Sequence, residues 1–179
     1  MTKPIYTPIV VNGKSLMMAV LELARKEIGV QEVPKNSNKG PRVEEYLRSV
    51  GLGGGYAWCA ALVYWLYLQA AKQLGVSSPV VKTGGVLVCY NKTNPLQIVT
   101  VAQAIAQPEL LVPGMQFIMR FANGTGHTGL IEAVAITKAG IMLKTIEGNT
   151  NDDGSREGYM VARRNRMVNS AGMFAFIKY

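Results

Sequence analysis

The segment Tyr56 to Leu68, Y-A-W-C-A-A-L-V-Y-W-L-Y-L, carries no charge and follows directly on Gly53-Gly54-Gly55. A run of this length reads as a helix buried on most of its surface, and the glycines before it supply a loop without side-chain bulk. The remaining elements must therefore pack around it. No apolar run in the chain reaches the ~18 residues that a membrane span requires. The segment is expected to be a core helix continuing to about Leu74.

Cys59 opens that helix. Unpaired amides and the macrodipole at a helix N-terminus favour a thiolate, which is the nucleophilic form of cysteine. The competing reading is that a free cysteine in an apolar run is an inert, buried small hydrophobe. Other residues have to decide. His127, the single histidine of the chain, lies in G-T-G-H-T-G-L-I, with glycines at 124, 126 and 129 that clear side chains from around the imidazole. That suits a base which substrate and thiol must both reach, although a lone histidine in a strand is commonly a satisfied core or surface residue. E-G-N, Glu147-Gly148-Asn149, ends the next apolar run. A carboxylate or amide accepting from one imidazole nitrogen fixes the tautomer and frees the other nitrogen for the thiol proton.

Strand register tests whether these groups can meet. The segments 127 to 137 and 141 to 148 are joined by Lys138-Ala139-Gly140, which fits a three-residue hairpin loop with glycine in the left-handed position. Pairing Thr137 with Ile141 then places Gly129 opposite Asn149 and Ile131 opposite Glu147. Odd-numbered residues of both strands share a face under this register. His127, Glu147 and Asn149 come together, with Ile141 and Leu143 below them and Lys144 on the other side. A four-residue loop would reverse that and separate the histidine from both partners.

The order W-C-A, then G-H-T-G, then E-G-N resembles the CHAP domain (cysteine, histidine-dependent amidohydrolase/peptidase), a papain-like group of peptidoglycan hydrolases. The similarity extends to the lead-in G-V-Q-E-V-P-K-N-S-N-K-G-P-R-V-E-E-Y-L at 29 to 47, to P-G at 113 to 114, and to E-G-N-T-N-D-D-G-S-R-E-G at 147 to 158. The flavour is that of the single-domain CHAP proteins of phages and bacterial genomes. The resemblance implies Cys59 as nucleophile, His127 as base, Glu147 as the residue orienting the histidine and Asn149 as a further polar site residue. Two departures stand out. Met115 follows P-G where the family commonly has an acidic residue, and Asn36, Ser37 and Asn38 replace the acidic calcium-binding loop of some members. One or two neutral oxygens make a poor site for a hard cation. No metal or other cofactor is expected, and N-D-D-G at 151 to 154 reads as a turn. Tyr56 and Trp58 are candidate substrate-binding residues, set against a packing role for each.

The expected fold is α+β, papain-like or NlpC-like, with N-terminal helices and the cysteine helix packed on an antiparallel sheet. Helices are expected at Ser15 to Ile28, Val43 to Val50 and from Cys59 to about Leu74. Strands are expected at Gln116 to Phe121, Thr128 to Ile136, Ile141 to Glu147, Tyr159 to Arg166 and Met173 to Lys178. Residues 76 to 112 are the least legible; Val99 to Ala106 reads as a short helix or strand and as a flap beside the site. One catalytic domain over residues 1 to 179 accounts for the length, since a chain of this size buries roughly 70% of its unfolded surface without disulfides or metal. Cys59 and Cys89 are read as free, with Cys89 buried in G-V-L-V-C-Y.

The net charge of +8 suits a polyanionic partner. Arg163, Arg164 and Arg166 form the densest basic run, but on a strand Arg163 faces away from the other two. No zinc-knuckle, helix-turn-helix or aromatic-interleaved basic pattern points to nucleic acid, and the anionic cell envelope is the economical partner. The N-terminus lacks the pattern of a secretory signal. The expectation is synthesis in the cytoplasm and delivery to the wall or periplasm by a phage holin or a secretion machine, as a monomeric phage lysin or an antibacterial effector with an immunity protein. The missing wall-binding module favours a Gram-negative phage endolysin or an effector, by family analogy. Two other classes fit the same residues: a cytosolic thiol amidase, deamidase or peptidase on a non-wall substrate, and an inactive peptidoglycan-binding fold.

Overall fold

The uncharged run folds as the central helix of the molecule. In the computed structural model, which describes residues 8–151 and 158–179, it forms α3 (Cys59–Leu74). No charge interrupts the helix before Lys72, and Gly75, left-handed at φ 69°, ends it by donating its backbone N–H to the Ala71 and Lys72 carbonyls. Two helices precede it: α1 (Leu16–Glu27), which buries Leu16, Val20, Leu21 and Ala24, and α2 (Pro41–Ser49), which starts on a proline whose missing N–H costs nothing in the first turn. Both pack on α3, which also packs against the sheet. Leu62 and Leu66 on α3 are sealed in this core, each worth about 2 kcal/mol of buried apolar surface.

A small hairpin, β1 (Val10–Val11) and β2 (Lys14–Ser15), leads into α1. After α3 come α4 (Val86–Lys92), β3 (Ile98–Thr100) and α5 (Val101–Ala106). The main sheet is completed by β4 (Gln116–Arg120), β5 (Gly126–Thr137), β6 (Gly140–Thr150), β7 (Met160–Met167) and β8 (Met173–Ile177). Its order is β3-β8-β4-β5-β6-β7, antiparallel throughout. The protein is thus α+β, with helices against one antiparallel sheet.

The illegible region resolves into a helix not foreseen, α4, which buries Val86 and Cys89, and into a strand followed by a helix where one or the other was expected. Thr100 is the hinge of that change: its hydroxyl accepts from the Gln103 amide while the Gln103 side chain accepts from the Thr100 amide, a reciprocal cap. The flap reading is overturned. β3 sits at the sheet edge, with β8 and β4 between it and β5.

The β5–β6 register also corrects the expectation. Thr137 pairs with Gly140 and Ile136 with Ile141, so the loop has two residues, Lys138 and Ala139. Continued without interruption, that pairing puts His127 and Glu147 on opposite faces. A bulge between Ile131 and Ala133 leaves Glu132 unpaired, and beyond it Ile131 pairs with Thr145 and Leu130 with Ile146. The bulge restores the lost parity, and His127 and Glu147 share a face after all. Glu132 itself is clamped by Arg25 at 2.9 Å and by Arg163 at 2.7 and 2.9 Å, which anchors the extra residue. Ile141 and Leu143 are buried and Lys144 is exposed, as the alternation along β6 requires.

The lead-in covers the outer edge of β7. Gly29 and Glu32 donate backbone N–H groups to Val161 and Tyr159, and Val161 donates to Val30. An edge that would otherwise invite pairing with another chain is thereby occupied. At the start of β4, Met115 is fully buried, and backbone bonds from Gly114 to Ile131 and from Ile131 to Met115 hold the strand.

Candidate active site

The helix start, β5, β6 and β7 converge on one open cavity of about 520 Å³, lined among others by Cys59, His127, Asn149, Asn151, Arg164 and Arg166. Cys59 is the first residue of α3, and the N-cap position, Trp58, offers no side-chain bond to the first-turn amides. Those amides are available to an anion at the sulfur or beside it.

His127 projects from β5 with its Nε2 2.7 Å from Glu147 Oε2. An ionised carboxylate only accepts, so Nε2 carries the proton and Nδ1 is the nitrogen left for Cys59. Burial alone would lower the imidazole pKa. The interaction with Cys59, then the hydrogen bond with Glu147, outweigh burial and raise it to about 9. Thiol, imidazole and carboxylate are thus arranged in series, a geometry in which the ring could take the thiol proton.

Glu147 is 0% exposed. Burial on its own would raise its pKa. Arg166 foremost, then His127, reverse the effect and bring it to about 2. The Arg166 fork donates from Nε to Oε1 at 2.8 Å and from Nη2 to Oε2 at 2.7 Å, and the Thr145 hydroxyl donates to Oε1 at 2.6 Å. Both carboxylate oxygens are saturated, so the group aimed at His127 is fixed in position and charge. The expected clearing role of the glycines takes a more specific form at Gly129. A Cβ there would lie 2.6 Å from the Ile146 carbonyl and 2.9 Å from Glu147 Cγ. The missing side chain is the space through which Glu147 reaches the histidine.

Asn149 lines the cavity, but its amide is committed. Oδ1 accepts from the Trp58 N–H at 3.2 Å, and Nδ2 donates to Gly158 O at 2.7 Å and Asn38 Oδ1 at 3.2 Å. It sits at φ 53° beside a second register shift, between Glu147 and Thr150 of β6. Asn149 therefore ties β6 to the start of the cysteine helix and is a positioning residue. Trp58 does not wall the groove: it is 0% exposed, stacks near Tyr46, and donates Nε1–H to Glu32 at 2.8 Å. Tyr56 is 57% exposed and lies outside the cavity lining. The indole of Trp58 therefore lies in the core, and Tyr56 stands on the surface outside the cavity lining.

Two contributors escaped the sequence reading. Strand alternation puts Arg166 with Arg164 and away from Arg163, but only a buried carboxylate on the neighbouring strand reveals its purpose. Glu32 is buried in the lead-in loop and accepts from Trp58, the Asn38 amide at 2.9 Å and Asn149 at 3.4 Å, with no periodic signal to mark it. Cys89 is buried on α4, and burial pushes its thiol pKa up. Among the described residues no group of three or more histidine, cysteine or acidic side chains could hold a metal, and no helix is long and apolar enough to cross a membrane. Asp152 and Asp153 of the expected N-D-D-G turn lie outside the described residues.

Comparison with protein-family models, curated proteins and solved structures returned no match to the chain.

Proposed function

We propose that the chain is a papain-like cysteine amidase or endopeptidase of CHAP type that hydrolyses amide bonds of the peptidoglycan stem peptide, as a phage lysin or antibacterial effector. The observation that carries this reading is the Cys59–His127–Glu147 series at the mouth of one cavity, with the thiol at the first turn of a buried helix. Peptidoglycan as substrate rests on the motif resemblance and the +8 charge, which suits an anionic envelope.

In this mechanism the Cys59 sulfur, its proton passed to His127, attacks the amide carbonyl and forms a tetrahedral adduct. The backbone N–H of Cys59 at the helix start stabilises the oxyanion. His127 returns the proton to the leaving amine as the C–N bond breaks, leaving a thioester on Cys59. Water, deprotonated by His127, attacks the thioester and releases the carboxylic acid and the thiol. Glu147, held by Arg166, stabilises the imidazolium in both half-reactions.

Purified sacculi incubated with the protein should release peptides with new amino termini or free amines, identified by mass spectrometry, which also locates the cut bond. Cys59→Ser and His127→Ala should each abolish release, and the double variant should be no worse, because residues acting as one unit are non-additive. Turnover of small amides or proteins with intact sacculi would move the substrate away from the wall. Absence of any Cys59 thioester would leave only a binding role.

A further inference from the structure

We propose that Arg164 binds a carboxylate on the substrate beside the scissile amide, so that the enzyme selects peptides bearing a free carboxylate at that point. The inference rests on the amidase reading above and adds the substrate's charge to it.

The cavity that holds Cys59 and His127 is lined by two guanidinium groups and, among the described residues, by no aspartate or glutamate. The two arginines are not equivalent. Arg166 spends its fork on Glu147, and that pair is internally neutral. Arg163, just before them in the run, turns to the other side of β7 and is spent on Glu132. Arg164 forms no ion pair with a described carboxylate; its Nη1 donates to the Asn151 carbonyl at 2.8 Å. The backbone beneath it is held in the β6–β7 ladder, where Arg164 pairs with Thr145. Arg164 is therefore a half-buried, oriented guanidinium on the wall of the cavity that holds Cys59 and His127, with most of its donors unspent among the described residues.

A fixed guanidinium fork matches a carboxylate in two parallel hydrogen bonds, and desolvation in a cavity makes the match selective. A carboxamide of the same shape offers one acceptor and no charge. A charge-assisted bond of this kind favours the acid by about tenfold or more.

The test uses two synthetic stem peptides that differ only in a free carboxylate or a carboxamide on the residue next to the scissile bond. The wild-type protein should cleave the acid with a kcat/KM about tenfold or more above the amide, mainly through KM, and the ratio should shrink as salt rises. Arg164→Gln should bring the ratio to within about twofold of unity. Arg164→Lys should keep part of it, as a point charge without the fork. Circular dichroism and alkylation of Cys59 establish that each variant is folded with an accessible thiol. Equal cleavage of both peptides by wild type, or a preference that survives in Arg164→Gln, overturns the carboxylate site alone. Cleavage of neither peptide, nor of sacculi, by a protein whose Cys59 is alkylated normally overturns the amidase reading and this inference with it.

Discussion

Replacing Cys59 with alanine should change the titration of His127, and the chain is built for that measurement because His127 is its only histidine. The imidazole rises from its ordinary 6.5 to about 9 in the folded protein. Burial, the largest single influence, pulls it down; the interaction with Cys59 is the largest influence pulling it up, followed by the hydrogen bond with Glu147. The net rise corresponds to about 3 kcal/mol of preference for the imidazolium. In Cys59→Ala, burial and Glu147 remain while the leading favourable contact is gone, so the titration midpoint should fall by about one pH unit or more, roughly 1.4 kcal/mol. Because the folded value is raised, protonated His127 stabilises the wild-type fold fully below pH 6.5, and that contribution is lost as pH rises through about 9. The variant should lose its smaller contribution at lower pH. Heteronuclear NMR of the one imidazole, followed from pH 5 to 10 in both proteins, reads the midpoint directly, and urea melts at pH 6 and 9.5 read the stability. An unchanged midpoint in Cys59→Ala would show that sulfur and ring do not interact, and the catalytic series would lose its first link.

Gly129→Ala forces a Cβ into the space of Glu147 Cγ and the Ile146 carbonyl, so it should cost about 1–3 kcal/mol and reduce turnover sharply, measured by thermal melting and wall hydrolysis. Arg166→Met leaves the fully buried Glu147 without its ion-pair partner; a loss of about 3 kcal/mol or more in urea melts is expected, together with a rise in the pH at which the fold fails in acid. In the wild type, Glu147 has its pKa depressed to about 2, so its contribution of roughly 3 kcal/mol is present above the ordinary carboxylate value of 4.5 and lost as pH falls through about 2; an acid melt that is flat between pH 4.5 and 2 would contradict it. Iodoacetamide at pH 7 should modify Cys59, which lines the cavity beside His127, much faster than Cys89, whose thiol burial pushes up; peptide mapping of the labelled protein settles the order. One residue inserted after Ala139 lengthens an exposed turn while the bulge at Glu132 and the buried pairs below it hold the register, so wall hydrolysis should stay within a few fold; its abolition would mean that the turn sets the register.

The sequence by itself determined which residues could carry chemistry and on which elements they ride. A charge-free run after three glycines is buried along most of its length, and its cysteine falls near its start. Period-two alternation placed Arg164 and Arg166 together and Arg163 apart, and the same alternation set Ile141 and Leu143 against Lys144. These are local facts, written in spacing along one segment. What the tertiary structure decided is how separate segments meet. The hairpin has a two-residue turn, and the face shared by His127 and Glu147 depends on a bulge at Glu132 that is stabilised by Arg25 and Arg163 from two distant elements. Trp58 goes to the core because Glu32 accepts its indole N–H, and Asn149 is a clamp because Trp58 and Gly158 take both ends of its amide. Arg166 matters only because β6 lays a buried carboxylate beside it. Each of these rests on desolvated polar groups finding partners many residues away, an energetic requirement that local periodicity does not encode.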